Sequence, residues 1–169
     1  MLSVLVALAR KGSIARLGSI YFRAWPVLML AAGLRLALGL AAGRVELPPL
    51  MAAGVYLVSY ACVLYGIYAN RRLPGLPVLG AGVFLNALVI FANDARMPIS
   101  TQVLERLGYA GEGIAVSYTH QLLRPDARLP YLADVLTLYP MLNSVFSIGD
   151  VLIAAGLFWV IYATMTRTS

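Results

Sequence analysis

The chain contains 169 residues, of which 61% are hydrophobic and only 12% are charged, and its mean hydropathy is +0.83. A water-soluble domain has about a quarter of its residues charged, and a disordered chain is poor in apolar residues, so both classes are excluded. The net charge of +6 would suggest nucleic acid in a soluble protein, but here the basic residues flank apolar segments. The composition therefore predicts a multi-pass membrane protein that binds no nucleic acid.

The residues that usually carry catalysis or metal binding are scarce. Cys62 is the only cysteine and His120 the only histidine, which excludes an intrachain disulfide, a cysteine-based zinc site and a haem held by two histidines. No H-E-x-x-H, P-loop or G-x-S-x-G pattern occurs. We therefore expect no cofactor, no metal ligands and no catalytic residues.

The chain begins with an apolar stretch, residues 1–9, followed by a basic region that extends to residue 24. Nine residues are too few to cross a bilayer, which takes about 20 residues of helix. We expect them to form an interfacial or half-buried start. The alternative is a crossing segment shortened by a late start site.

Four apolar segments follow, each near the minimum length of a membrane span. They are residues 25–43, 49–68, 76–92 and 148–165. We predict an all-α integral membrane fold in a single domain, with a bundle of four transmembrane helices, or five if residues 1–9 also cross. Residues 25–92 hold three spans and residues 148–166 the last.

Between the third and fourth segments lies a long stretch, residues 93–147, with four of the nine prolines. Its apolar patches at 114–116 and 129–138 make it too apolar for a free linker. We expect a structured loop of short helices that lie on or dip into the outer membrane surface.

The distribution of Lys and Arg predicts the orientation. With the N-terminal region inside, the inner side carries seven basic and no acidic residues, whereas the outer side is mixed. Aromatic residues cluster at the predicted inner interface as well. We therefore expect a bacterial cytoplasmic (inner) membrane protein whose basic region and C-terminus are cytoplasmic. The seven inner residues are Arg10, Lys11, Arg16, Arg23, Arg71, Arg72 and Arg167.

Arg35 lies near the middle of the first span, where an arginine costs roughly 2.5–3.5 kcal/mol to insert. It shares a helix face with Gly39 and Gly43, a spacing that allows close approach of another helix, so we expect it to face the bundle interior. At a rise of about 1.5 Å per residue, three side chains of the second span lie at the same depth as Arg35. Those three are Tyr56, Ser59 and Tyr60. Asn86 of the third span lies at that depth as well. A purely structural arginine, bonded to Asn86 or to one of the tyrosines, is the competing interpretation.

Several polar residues have the spacing of helix starts. Ser147 and Asp150 form an S-x-x-D capping box before the last span, although Asp150 could also bind a ligand or a proton. Ser100 and Thr101 follow Pro98 as helix-start residues. Pro130 is predicted to open a short helix through Leu138.

The remaining polar side chains concentrate between the third and fourth spans, whose outer ends tie this stretch down. They could therefore converge on one outward-facing ligand site, or form a solvated loop with ordinary ion pairs. The candidate ligand-binding residues are Arg35, Asn86, Asn93, Arg96, His120, Arg128, Asp134, Asn143 and Asp150.

Three motifs in this region are specific: N-D-A-R-M-P at 93–98, R-L-P-Y-L-A-D at 128–134 and N-S-V-F-S-I-G-D at 143–150. By these motifs the chain resembles a family of small multi-pass bacterial membrane proteins catalogued as a domain of unknown function. The resemblance covers most of the chain and implies no activity. The chain departs from the family pattern in two ways. Its first apolar segment is shorter, and Asp94 and Ala95 occupy positions where the family often has glycines. The resemblance implies characteristic positions at Asn93, Arg96, Met97, Pro98, His120, Arg128, Asp134, Asn143, Ser147, Gly149 and Asp150.

Three functions remain open at this point. The leading one is binding of an anionic lipid or lipid-like ligand at the outer site, with Arg96 and Arg128 supplying charge-assisted bonds. The second is an accessory or scaffold subunit that contacts protein partners through small-residue helix faces such as Gly39 and Gly43. The third, a metal-dependent phosphohydrolase using Asp94, Asp134, Asp150 and His120, has the weakest signal.

Overall fold

A computed structural model of the chain describes residues 2–41, 44, 47–108 and 119–167, and most of these residues are helical. Four long helices, α2, α3, α4 and α6, begin at the first residue of each predicted segment and end within two residues of its predicted end. The shorter helices are α1 before them and α5 in the loop. Their bounds are α1 Leu2–Ala9, α2 Trp25–Ala41, α3 Pro49–Ala69, α4 Leu76–Ala92, α5 Thr101–Arg106 and α6 Ile148–Thr166.

Two of these helices, α3 and α6, are long and apolar enough to cross a membrane, and α2 and α4 are shorter apolar helices of 17 residues each.

The starts of the long helices have local causes. Prolines occupy the first turns of α3 and α4, where a missing N–H costs nothing. Ser147 and Asp150 form the predicted capping box at α6, with both reciprocal bonds present.

The long helices pack in the order α2, α3, α4, α6, each against the next. The closest pair is α4 with α6, because glycines face each other across it. A Cβ at Gly82 would collide with the carbonyl oxygen of Gly149, and one at Gly156 with the backbone of Leu79. Only glycine permits this separation of the two backbones.

Helix α1 spans eight residues, about 12 Å, and packs along α6 with Ser3 and Ala7 buried. The Ser13 N–H and the Arg16 Nη1 each donate to the Met165 carbonyl at 2.9 Å. The N-terminal stretch therefore forms a half-buried helix beside the end of α6.

The loop between α4 and α6 differs from the expected set of short helices, because much of it forms strands. Strand β1 (Met97–Ile99) pairs in parallel with β2 (His120–Leu122), and β3 (Leu136–Leu138) pairs antiparallel with β4 (Leu142–Phe146). Pro130 does open a helix, but it is a 3-10 helix that ends at Leu132. The prediction that this helix continues to Leu138 was wrong, since cross-strand pairing with β4 takes over there. The apolar patch at 114–116 lies outside the described residues.

The expected close approach of a helix at Gly39 is also absent. No atom of the described residues lies within 4 Å of where a Cβ would stand on Gly39, and Gly43 is outside the described ranges. The tightly packed glycines belong to α4 and α6 instead.

Candidate functional site

A polar cavity lies where the four long helices meet the loop. Each long helix contributes a polar side chain to its wall: Arg35 from α2, Tyr60 from α3, Asn86 from α4 and Asp150 from α6. The cavity, of about 170 Å³, is also lined by loop residues and is called here the loop-side cavity. A helix-side cavity of about 250 Å³ shares the same four polar residues. The loop-side lining is completed by Tyr56, Ile90, Met97, Thr119, His120 and Asp134.

Arg35 is held by two aromatic rings of α3. Its guanidinium carbon lies 4.5 Å from the ring centre of Tyr56 and 4.7 Å from that of Tyr60. These tyrosines are four residues apart, so they present one face to α2, and cation–π attraction stabilises the charge there. The depth argument that paired Arg35 with these tyrosines is confirmed. Within the described residues no carboxylate oxygen lies within 4.0 Å of the guanidinium, and Arg35 lines both cavities.

Asp150 has more partners than the capping box alone supplies. One carboxylate oxygen accepts from the Ser147 N–H and hydroxyl, each at 2.9 Å, and the other accepts from Asn86 Nδ2 at 2.8 Å. The Ser147 hydroxyl lies 2.8 Å from Asn86 Oδ1 as well, so its single proton is shared between this oxygen and the Asp150 carboxylate. The cap of α6 is thereby joined to α4, and the Asp150 carboxylate is fixed at the wall of both cavities.

Strand pairing brings His120 and Asp134 of the loop close to each other. In β1 and β2, Met97 lies opposite His120. On the other side of β1 the Asp134 N–H donates to the Pro98 carbonyl at 2.9 Å, and the Ser100 N–H to the Asp134 carbonyl at 3.1 Å. Met97 and Pro98 are therefore buried between the segments that carry His120 and Asp134. This explains why the N-x-x-R-M-P and R-L-P-x-L-x-D motifs belong together.

Asp134 is the least satisfied polar group of the site. Asp134 is only 6% exposed, and its Oδ1 is buried with no hydrogen-bond partner among the described residues. Oδ2 lies 3.9 Å from His120 Nε2. Burial, and then the negative charge of Asp150, raise the pKa of Asp134 to about 7. Burial lowers the pKa of His120, with Asp150 opposing this effect.

Asn93 and Arg128 have a different place from the one expected. The Asn93 side chain donates to the carbonyls of Val89 and Arg128, each at 2.8 Å, and accepts from the Arg128 N–H at 2.9 Å. Asn93 therefore clamps the loop backbone to the end of α4. Arg128 takes part through its main chain, and the residue itself is exposed.

Arg96 and Asn143 line neither cavity. Arg96 is half-buried after Asp94 and Ala95, and Asn143 is exposed on β4. The structure thus brings five of the nine candidate residues together at the loop-side cavity: Arg35, Asn86, His120, Asp134 and Asp150. The cation at this cavity is Arg35, not Arg96 or Arg128.

Of the four residues suggested for a metal-dependent phosphohydrolase, His120, Asp134 and Asp150 line the loop-side cavity, whereas Asp94 does not. Asp94 is exposed and its carboxylate lies 3.3 Å from Arg124 Nη2. In the described part of the chain, no group of three or more His, Cys, Asp or Glu side chains is arranged to hold a metal ion.

Several lining residues were not among the nine candidates. Tyr56 and Tyr60 were identified only as partners of Arg35, although their i, i+4 spacing at its depth was the available signal. Thr119, whose hydroxyl lies 2.7 Å from His120 Nδ1, had no sequence signal, because its position depends on the β1–β2 pairing.

Comparison with known proteins agrees with the motif resemblance. No curated protein and no solved structure matches the chain. A model of a family of unknown function, DUF5317, matches residues 19–162, which include every residue of both cavities. The chain belongs to the DUF5317 family.

Proposed function

We propose that the chain is a multi-pass protein of the bacterial cytoplasmic membrane, with α2, α3, α4 and α6 crossing the bilayer. The support is the exposure of apolar surface: only 28% of the most apolar part of α3 and 22% of that of α6 are buried. A core helix of a soluble protein is buried on most sides, whereas these helices need an apolar solvent. The 17 residues of α2 and α4 extend about 25 Å, close to the thickness of the hydrocarbon core.

We propose further that the loop-side cavity binds the charged end of a lipid or lipid-like ligand that carries an anionic group and an ammonium group. The observation that carries this proposal is that Arg35 and Asp134 line one cavity without bonding each other. A guanidinium favours a phosphate or carboxylate, and an unpartnered buried carboxyl oxygen favours a hydrogen-bond donor.

The charges in the cavity favour this mixed ligand over a purely anionic one. Asp134 and Asp150 would repel an anion that Arg35 attracts, whereas an ammonium beside the anion gives them a partner. The volume of about 170 Å³ is below the roughly 300–1,000 Å³ usual for whole drug-sized ligands, so it suits a headgroup. The exposed apolar faces beside it offer the chains of such a lipid a place in the bilayer.

The alternative, an accessory subunit of a larger membrane complex, has its own support. Gly33 and Gly39 on α2 have no described atom within 4 Å of the place that a Cβ would take, so this face has space for a helix of another protein. After gentle extraction, the first function predicts the chain with a bound lipid, and the second predicts the chain bound to another polypeptide.

Native mass spectrometry of the protein in discs cut from its own membrane tests the proposal. We expect one lipid of defined mass to remain bound to the wild type. Arg35→Gln should reduce its occupancy at least tenfold, because a charge-assisted hydrogen bond contributes about 1.5–3 kcal/mol. Asp134→Asn provides a second variant that keeps the shape of the cavity.

Arg44→Gln is the matched control, since Arg44 is an exposed arginine outside both cavities. Circular dichroism and thermal unfolding of each variant establish that it is folded. Equal retention of the lipid in folded Arg35→Gln and wild type would overturn the proposal. A stoichiometric polypeptide adduct without a specific lipid would support the subunit alternative.

A further inference from the structure

The end of the helix layer opposite the cavity carries a surface rich in arginine. Two grooves lie there, which share Tyr21 and Leu73 as a common wall. The larger, about 450 Å³, is lined by Arg16 and Arg167, and the smaller, about 260 Å³, by Arg23, Arg71 and Arg72. Among the described residues, five arginines and no acidic residue line this pair, called here the arginine grooves.

Two of the arginines, Arg16 and Arg71, are positioned by side-chain contacts, which distinguishes them from freely solvated charges. Arg16 Nη1 donates to the last turn of α6 at the Met165 carbonyl, 2.9 Å away. Arg71 Nη1 donates to the Tyr68 carbonyl at 3.1 Å while its guanidinium carbon lies 4.3 Å from the Tyr68 ring centre. Held in this way, each guanidinium loses less conformational freedom when it binds an anion.

Arg23 is fixed through its backbone. Asn70, the C-cap of α3, accepts from the Arg23 N–H and donates to the Arg23 carbonyl, both at 2.8 Å. Asn70 is itself buried and also donates to the Gly66 carbonyl at 2.7 Å. The clamp holds the segment before α2 beside the turn that contains Arg71 and Arg72, so three arginines meet at the smaller groove.

The segments that form this end of the molecule contain no residue that could neutralise these charges. Residues 2–41 and 66–76, and the end of α6 beyond Asp150, have no Asp or Glu. The aromatic residues Tyr21 and Trp25 at this end are 77% and 58% exposed, as expected of rings at the level of lipid headgroups. Guanidinium groups bind phosphate oxygens with two parallel hydrogen bonds, and basic pockets between helices at the cytoplasmic face suit phospholipid headgroups.

We propose that the arginine grooves bind the phosphate of anionic phospholipids at the cytoplasmic face, with the two adjoining grooves suited to a lipid that carries two phosphates. The inference rests on the membrane placement proposed above, but not on ligand binding in the loop-side cavity. It goes beyond the topological role of these arginines, which requires positive charge but no bound lipid.

Native mass spectrometry of the full chain in synthetic discs tests it. The discs contain phosphatidylcholine with a minor fraction of either phosphatidylglycerol or cardiolipin, which have one and two phosphates. We expect the wild type to retain cardiolipin at least tenfold above its fraction in the disc, and phosphatidylglycerol to a smaller extent. The triple variant Arg23→Gln, Arg71→Gln, Arg72→Gln should lose this enrichment.

The matched control removes three exposed arginines from the opposite end: Arg44→Gln, Arg106→Gln, Arg124→Gln. It has the same net charge as the test variant and should keep the enrichment. A parallel measurement with excess inorganic phosphate distinguishes a lipid headgroup from free phosphate. Displacement of the lipid would mean that free phosphate is the ligand recognised. No enrichment over phosphatidylcholine in the wild type, or equal loss in both variants, would overturn the proposal. Arg35→Gln should leave this enrichment unchanged, so the two proposals fail independently.

Discussion

Asp134 is the residue whose surroundings most alter its chemistry. Its buried carboxyl has one oxygen without a partner in the described structure, and its pKa rises to about 7 from an ordinary value of 3.8. Between those two pH values the folded protein holds a proton that the unfolded chain releases. This group therefore stabilises the fold at low pH, and the contribution is lost as the pH rises toward 7.

Asp134→Asn should remove this pH dependence. A neutral amide needs no proton, so at pH 8 the variant should exceed the wild type in free energy of unfolding by up to about 4 kcal/mol, since each of about three pH units contributes about 1.4 kcal/mol, whereas at pH 4 the two should be similar. The measurement is thermal unfolding in detergent at both pH values. His120, Asp150 and Arg35 face the same cavity in both proteins, so their own contributions largely cancel in the comparison. Equal destabilisation at both pH values would contradict the expectation.

Asp94 and Ala95 are strained by their backbone conformation. Both have a φ of +57°, in the left-handed region that favours glycine. These are the two positions at which the resemblance implies frequent glycines. The turn after Asn93 therefore holds two residues with a Cβ in a conformation that glycine adopts more easily.

Ala95→Gly should raise the free energy of unfolding by about 1 kcal/mol, because the Cβ that opposes this conformation is removed. The control is Ala61→Gly at an exposed position within α3, where glycine should lower stability by a similar amount. Thermal unfolding of the two variants in one detergent compares them directly. A loss of stability in Ala95→Gly would show that the turn is not strained at this residue.

Among the elements, the α4–α6 pair decides the geometry of the site. Gly149 of α6 lies against Asn86 and the Gly82 carbonyl of α4, and this contact holds the Asn86–Ser147–Asp150 hydrogen bonds in register. A methyl group there would displace Asn86 and separate the two helices.

Gly149→Ala should lower the free energy of unfolding by roughly 2–3 kcal/mol, through overpacking and loss of the Asn86 hydrogen bonds. Gly54→Ala in α3 is the control, since no described atom lies within 4 Å of its Cβ position and alanine favours a helix. It should leave stability unchanged or slightly raised. Similar effects of the two substitutions in thermal unfolding would contradict the close contact of α4 and α6.

Two asparagines act in the same way at opposite ends of the helix layer. Asn70 and Asn93 each follow a long helix, bond the carbonyl four residues earlier and clamp the N–H and carbonyl of a distant arginine. Asn70 fixes Arg23 at the arginine grooves, and Asn93 fixes Arg128 in the loop. The amide suits this task because it has both donors and an acceptor in one plane.

At the scale of the whole molecule, the two ends of the helix layer differ in charge, which bears on the membrane placement proposed above. The arginine grooves and the loop-side cavity are at opposite ends of the helices, and Lys and Arg are concentrated at the end with the grooves. The positive-inside rule then predicts that the arginine grooves face the cytoplasm and that the loop lies outside.

Single-cysteine labelling should report this orientation. With Cys62 replaced by alanine, Ser19→Cys at the basic end should react with an impermeant maleimide only after cells are permeabilised. Gln102→Cys in the loop should react in intact spheroplasts. Both positions are exposed, and neither substitution changes the net charge. The reverse labelling pattern would invert the topology, and labelling of both positions in intact spheroplasts would contradict the four-span arrangement.

The starts of the long helices could be predicted from the sequence, because long apolar segments bounded by proline, glycine and basic residues leave few other structures. The capping box at Ser147 and the Arg35–tyrosine pairing were also predictable, since both depend on spacing along a helix. The β strands of the loop were not, because strands of three to five residues carry little periodic pattern and depend on their partners.

The sequence by itself determined that four long helices form, where they begin and which end carries the positive charge, because these depend on local composition and spacing. Only the tertiary structure decided which polar residues share a cavity. Arg35 and Asp134 are 99 positions apart in the chain and meet through the α4–α6 contact and the pairing of β1. Arg96 and Arg128 had the more obvious motifs, yet their side chains are excluded from the cavity, because the clamp at Asn93 uses the Arg128 backbone and leaves its charge outside.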